Sequence, residues 1–235
     1  MTMRKLLFLL LAALVSGAQA QSCCDARTAN PPAFTWSAKP TCSASLTGRL
    51  IRISDVGPND WIAVCDGTNS LWVPVSGYVL LGAIRAVTVT GTVADSVVGE
   101  TVTVPAGLLG AGGSIEIKYL ADGITNSANA KTANIRWGTT SGSGCTGNTS
   151  VNVGTNANIT KLQSVTRLTN KDSVSSQATF INGAFTSPYG TAASAAATAA
   201  VDTSAVSYMC MTQAIPTAAE TTTWEYIDVI AYPAP

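Results

Sequence analysis

The 235 residues contain no histidine. That removes the usual proton carrier of Ser-His-Asp and Cys-His catalysis. A Ser-Lys pair would manage without it, but no S-x-x-K motif occurs. Charge is scarce at 11% and balanced, with 13 basic and 13 acidic residues. Nothing therefore favours nucleic acid or an anionic membrane, both of which select basic patches. Without histidine or a pair of C-x-x-C motifs there is no zinc-ligand set, so no metal and no cofactor is expected. No fixed-period repeat is present. The glycine-rich segment Gly110-Ala-Gly-Gly-Ser114 lacks the lysine and following helix of a phosphate-binding loop, and reads as a turn between strands.

Long apolar runs are also missing, with one short exception. Leu6 to Val15 is ten apolar residues behind Arg4 and Lys5, and Ala18-Gln19-Ala20 follows as a small-x-small cleavage pattern. A membrane span needs about twenty apolar residues, so the run reads as a signal peptide over 1–20 rather than a span. A buried N-terminal helix is the alternative. Cleavage before Gln21 leaves 11 basic against 13 acidic residues and an exported chain without a membrane anchor. All six cysteines, Cys23, Cys24, Cys42, Cys65, Cys145 and Cys210, lie beyond that point. An even count in an exported chain predicts up to three disulfides. Cys42 and Cys65 bracket a strand-and-turn unit and are the first pair expected. Cys145 and Cys210 can meet only through the fold, and a bridge between the adjacent Cys23 and Cys24 would be strained.

What the chain does have is strand patterning and turn residues. Residues 21–44 carry Pro31, Pro32 and Pro40 with little periodicity, and are expected to form an extended arm or linker. Residues 45–82 read as a small β-meander, with strands at 49–53, 61–65 and 71–73 around the turns Asp55 to Asp60 and Asp66 to Asn69. Residues 83–235 read as an antiparallel sandwich, most plausibly a jelly roll. Its strands are expected at 79–89, 101–104, 114–120, 133–137, 158–168, 174–181, 205–212 and 224–231. Ile115, Ile117 and Tyr119 alternate with Glu116 and Lys118; Ile227 and Val229 alternate with Tyr226 and Asp228. The alanine-rich stretch 191–200 has no large apolar stripe to anchor a helix. It reads as a long loop whose small side chains suit packing against a neighbouring subunit.

Paired carboxylates are the one catalytic device that needs no histidine. Most acids sit in turns, which leaves Glu116, Glu225 and Asp228 on strands. Three residues of separation should put Glu225 and Asp228 on opposite faces of one strand. No catalytic residue is assigned, and the chain is not expected to be an enzyme. For ligand binding, Trp137 and Tyr189 are the candidate stacking platforms, because rings pair an apolar face with a polar edge. Trp61 and Trp72 belong more naturally to the meander core.

Two stretches carry a resemblance. One is Gly48-Arg-Leu-Ile-Arg-Ile-Ser-Asp-Val-Gly57 with Cys65-Asp-Gly-Thr-Asn69 and Trp72-Val-Pro-Val-Ser-Gly-Tyr-Val-Leu-Leu81. The other is Val104-Pro-Ala-Gly-Leu-Leu-Gly-Ala-Gly-Gly-Ser-Ile-Glu-Ile117 with Asn126-Ser-Ala-Asn-Ala-Lys-Thr-Ala-Asn-Ile-Arg-Trp-Gly138. With Trp224 to Ile230 they resemble tail-fibre-like and head-fibre-like virion structural proteins of tailed bacteriophages, over about residues 45–235. The resemblance implies a meander followed by a jelly roll and self-association as a homotrimer. It also implies contact with other virion proteins and display toward host-surface glycans or a role in protecting the capsid. Such virion proteins normally carry neither a signal nor disulfides. Two locations are thus expected: the virion surface, or an exported site. The second function class is an exported bacterial carbohydrate- or surface-binding module, and a carboxylate-based glycoside hydrolase is the third.

Overall fold

Short alternating runs closed by glycine and asparagine turns build sheets here, and three of them form. The computed structural model describes residues 31–141, 145, 148–179 and 197–234. Residues 1–20, where a signal peptide is expected, lie outside the described residues, as do Cys23, Cys24 and Tyr189. The first sheet runs β1 (Ala33–Phe34), β2 (Leu50–Ile53), β3 (Trp61–Asp66) and β4 (Leu71–Pro74), in that order. β2, β3 and β4 are the antiparallel meander, and β1 joins it in parallel beside β2.

The remaining strands are β5 (Val79–Thr90), β6 (Thr92–Val97), β7 (Val102–Val104), β8 (Ser114–Asp122), β9 (Lys131–Gly138) and β10 (Thr149–Asn156), followed by β11 (Leu162–Asn170), β12 (Gln177–Thr179), β13 (Ala197–Ala199), β14 (Ser207–Ile215) and β15 (Thr221–Tyr232). They divide into a six-stranded sheet, β13-β12-β11-β8-β15-β5, and a five-stranded sheet, β10-β9-β14-β6 with β7 also on β14. Every pairing within these two sheets is antiparallel. Ile84, Ile117, Ile227 and Val229 from the first face Ile135, Met209 and Met211 from the second, with only about 10 Å³ of free space among them. The protein is an all-β sandwich, close-packed between its sheets.

Tyr119 and Trp224 meet edge to face in this core, ring centroids 6.0 Å apart. The polar groups that such rings bring inside must find partners. Trp224 Nε1 donates to Gln213 Oε1 at 2.8 Å, and Gln213 Nε2 donates to Thr222 Oγ1 at 2.9 Å. At one end of the sandwich the buried Lys131 meets Glu220 at 3.1 Å. Hydrogen bonding from Ser127 and Asn129, with Lys131 beside it, holds the Glu220 carboxyl below its ordinary range.

Several expectations shift. The proposed boundary at 82/83 falls inside β5, a single strand from Val79 to Thr90. One cluster of buried residues runs from Trp36 through the meander to Ala231, so meander and sandwich share a core. The last part of the expected arm, from Ala33, packs instead of spanning a gap: Trp36 is 9% exposed, and its Nε1 donates to Ala106 O at 2.8 Å. A three-stranded meander is marginal alone, and this packing supplies support it needs. The strand expected at 158–168 occupies Leu162–Asn170, and the one expected at 174–181 narrows to Gln177–Thr179. β6 and β10 were not expected, since few large apolar residues mark Thr92–Val97 or Thr149–Asn156. Within the alanine-rich stretch, Ala197–Ala199 form the edge strand β13 rather than loop. Residues 191–196, Ala195 included, lie outside the described residues.

Candidate interaction surface

A sandwich has two outer faces, and here they differ. On the five-stranded sheet, alternation places Arg136, Asn134, Cys210 and Thr212 outward, opposite the inward Ile135, Met209 and Met211. Outward residues are normally solvated, yet Thr212 is 0%, Cys210 3% and Asn134 8% exposed. Cys210 is bonded to Cys145, itself 1% exposed, across a Cα separation of 6.6 Å. Arg136 Nε donates to Thr212 Oγ1 at 3.3 Å. At its centre this face is closed. The bridge expected first, Cys42–Cys65, has Cα atoms 5.4 Å apart and ties β3 to the segment before β2.

The outer face of the six-stranded sheet is open. Its register sets side chains in rows across β11, β8, β15 and β5. These read Gln163, Leu120, Tyr226, Arg85; then Val165, Lys118, Asp228, Ala83; then Arg167, Glu116, Ile230, Leu80. Tyr232 follows, its ring 6.3 Å from that of Tyr78. Val165 is 56% and Tyr78 48% exposed. Arg85 pairs with Asp228, and Lys118 with Glu116 at 3.2 Å. The Glu116 hydrogen bond and charge raise the Lys118 pKa above its ordinary value. Tyr232 donates to Glu116 Oε1 at 3.3 Å, and burial, with Glu116 beside it, raises the phenol pKa. Guanidinium groups lie over two of the rings, Arg85 at 5.9 Å from Tyr226 and Arg167 at 5.0 Å from Tyr232.

The three strand carboxylates fall on this face. Glu225 and Asp228 do not take opposite faces, because the register against β8 shifts between Trp224 and Tyr226. Glu225 is the extra residue of that bulge and points to solvent, on the same outer side as Asp228. Ala86, at φ 51°, is skipped opposite it in β5.

Trp137 is no surface platform. It is 1% exposed on the inward side of β9, and its Nε1 donates to Ser207 Oγ at 3.0 Å. The glycine-rich loop that follows it in sequence does not lift it out, since position 137 shares a face with Ala133 and Ile135. Trp61 and Trp72 are buried in the meander, 8% and 5% exposed. The aromatic residues that do stand outward are Tyr78, Tyr226 and Tyr232. Alternation of Tyr226, Asp228, Ile230 and Tyr232 with Ile227, Val229 and Ala231 carries that signal in the sequence.

A second concavity, about 340 Å³, lies where the turn Asp55 to Pro58 approaches Leu81 to Ala83 and residues 100–105. Gly57 allows this approach: at φ 79°, a Cβ there would sit 1.8 Å from Leu80 O. Asp55 and Glu100 both line it, and Asp55 Oδ1 accepts from Trp36 N at 2.6 Å. Among the described residues, no group of three or more Cys, Asp or Glu side chains could hold a metal ion. No known family model matches the chain, and no curated protein matches it.

Proposed function

We propose that the chain is a non-enzymatic surface protein of the fibre-like or capsid-decorating kind. In this reading it self-associates as a homotrimer and presents loops to a host surface. The observation that carries it is the strand order. β5, β15, β8 and β11 lie side by side in one sheet, and β6, β14, β9 and β10 in the other. The chain crosses between the sheets from β5 to β6, β7 to β8, β8 to β9, β10 to β11, β13 to β14 and β14 to β15, and the outermost pair of that order, β5 and β15, lie side by side. This order matches two nested Greek keys, and we infer a jelly-roll winding, with β12 and β13 as an added edge. Phage virion surfaces use such sandwiches in the family that the sequence resembles.

The two disulfides favour an oxidising location, so export after removal of residues 1–20 is part of the proposal. A second reading, an exported carbohydrate- or surface-binding module, draws on the 340 Å³ concavity, which falls in the size range of ligand clefts. Its carboxylates would accept hydrogen bonds from sugar hydroxyls. Native mass spectrometry of the exported chain, paired with a glycan panel, tests both readings. A trimer beginning at Gln21 supports the first. A processed monomer that binds a glycan supports the second and overturns the first.

A further inference from the structure

We propose that the open outer face of the β11-β8-β15-β5 sheet is the surface through which copies of this chain meet, turned inward about a common axis. The proposal rests on the self-association proposed above and assigns it to a face.

Four observations select this face and this occupant. The other outer face is already closed at its centre, with Thr212 and Cys210 at 0% and 3% exposure. The open face is also large enough. Four strands about 4.8 Å apart, nine to twelve residues long at about 3.4 Å each, span roughly 19 by 31 to 41 Å. That flat footprint, about 600 to 800 Å² before the relief of the side chains is counted, is on the scale of the ~800 Å² that a stable interface takes from each partner.

Composition is the third. Tyr78, Tyr226, Tyr232, Arg85 and Arg167 are the residue types that dominate binding energy at protein interfaces, and Val165, Leu120 and Ile230 lie among them. A sugar is the poorer occupant, since Arg85 and Arg167 already lie over the rings that would stack on it.

Charge is the fourth. Arg85, Lys118 and Arg167 stand against Glu116, Glu225 and Asp228, interleaved by row, so the face carries both signs in balance. A strongly acidic or basic partner would call for a face of one sign. Around a three-fold axis one part of the face meets another part of it on the next copy, and the interleaving gives both parts both signs, with Arg85–Asp228 and Lys118–Glu116 already neutralised in place. The near-zero net charge of the whole chain leaves little long-range repulsion to oppose that contact.

Sedimentation velocity on the processed full-length chain tests the assignment, using V165R and Y78D. Both positions are well exposed, so the substitutions leave the fold intact, and circular dichroism checks that. T68R, in the exposed β3–β4 turn, serves as a remote control. The wild type and T68R should sediment as the oligomer, while V165R and Y78D should associate at least tenfold more weakly. A wild-type oligomer that V165R and Y78D leave unchanged overturns this face but not self-association. A wild-type monomer overturns the self-association reading itself, and this assignment with it.

Discussion

The two outer faces of the sandwich use the same strand geometry for opposite ends. On the five-stranded sheet, small polar side chains sit at the centre, Cys210 is bonded to the buried Cys145, and Thr212 loses all contact with water. On the six-stranded sheet, long side chains keep their heads in solvent: the guanidiniums lie over tyrosines, Asp228 pairs with Arg85 one strand away, and Glu116 pairs with Lys118 along its own strand. Burial of an outward residue therefore reports what covers the sheet rather than what the sheet is. The closed face should govern stability, and the open face should govern assembly.

Substitutions can break or sharpen that contrast, and the largest effect should come from beneath the closed face. Trp137→Ala removes a buried ring and its bond to Ser207, and should cost about 3–5 kcal/mol in urea unfolding. A loss under 1 kcal/mol would return Trp137 to the surface. Cys210→Ser opens a bridge between residues 65 apart in sequence. Loop-closure entropy alone puts its cost at about 4 kcal/mol, and reductant, which opens Cys42–Cys65 as well, should destabilise the wild type further. Thr212→Val keeps the shape but takes an acceptor from Arg136, for a loss of about 1 kcal/mol. On the open face, Val165→Arg should change stability by no more than about 0.5 kcal/mol when measured below the assembly concentration.

A pH titration adds a group that belongs to neither face. The folded Glu220 carboxyl titrates below its unfolded value, so its stabilisation is complete above about pH 4.5. It is lost as pH falls through the folded pKa. E220Q should flatten that part of the acid limb of the stability profile, and an unchanged limb would show that Glu220 does not contribute to it.

Much of this fold could be read in the sequence, because most of its strands advertise themselves. The meander at Arg49 to Val73, the alternation at Ile115 to Tyr119 and the Cys42–Cys65 pair all follow from local pattern. β6 and β10 do not, since their pairing is decided by neighbours in space and their own side chains are mostly small or polar. The boundary at 82/83 was misplaced although the strand expected at 79–89 already crossed it: Val79 to Thr90 serves both units, and no composition change marks a shared core. Trp137 misleads because the glycines and serines after it look like exposure, while its place in the alternation puts it inside. The bulge at Glu225 shows the limit of counting by twos. One extra residue moves a side chain across the strand, and only the register against β8 reveals it.

The most direct test of the contrast is hydroxyl-radical footprinting of the disulfide-bonded chain at concentrations above and below those of the proposed assembly. Tyr78, Val165 and Tyr232 should become protected in the assembled sample, while Tyr208 and the residues around Cys210 should react equally in both. Protection centred on the five-stranded sheet, with Tyr78 and Val165 unchanged, would contradict the division of labour between the two faces.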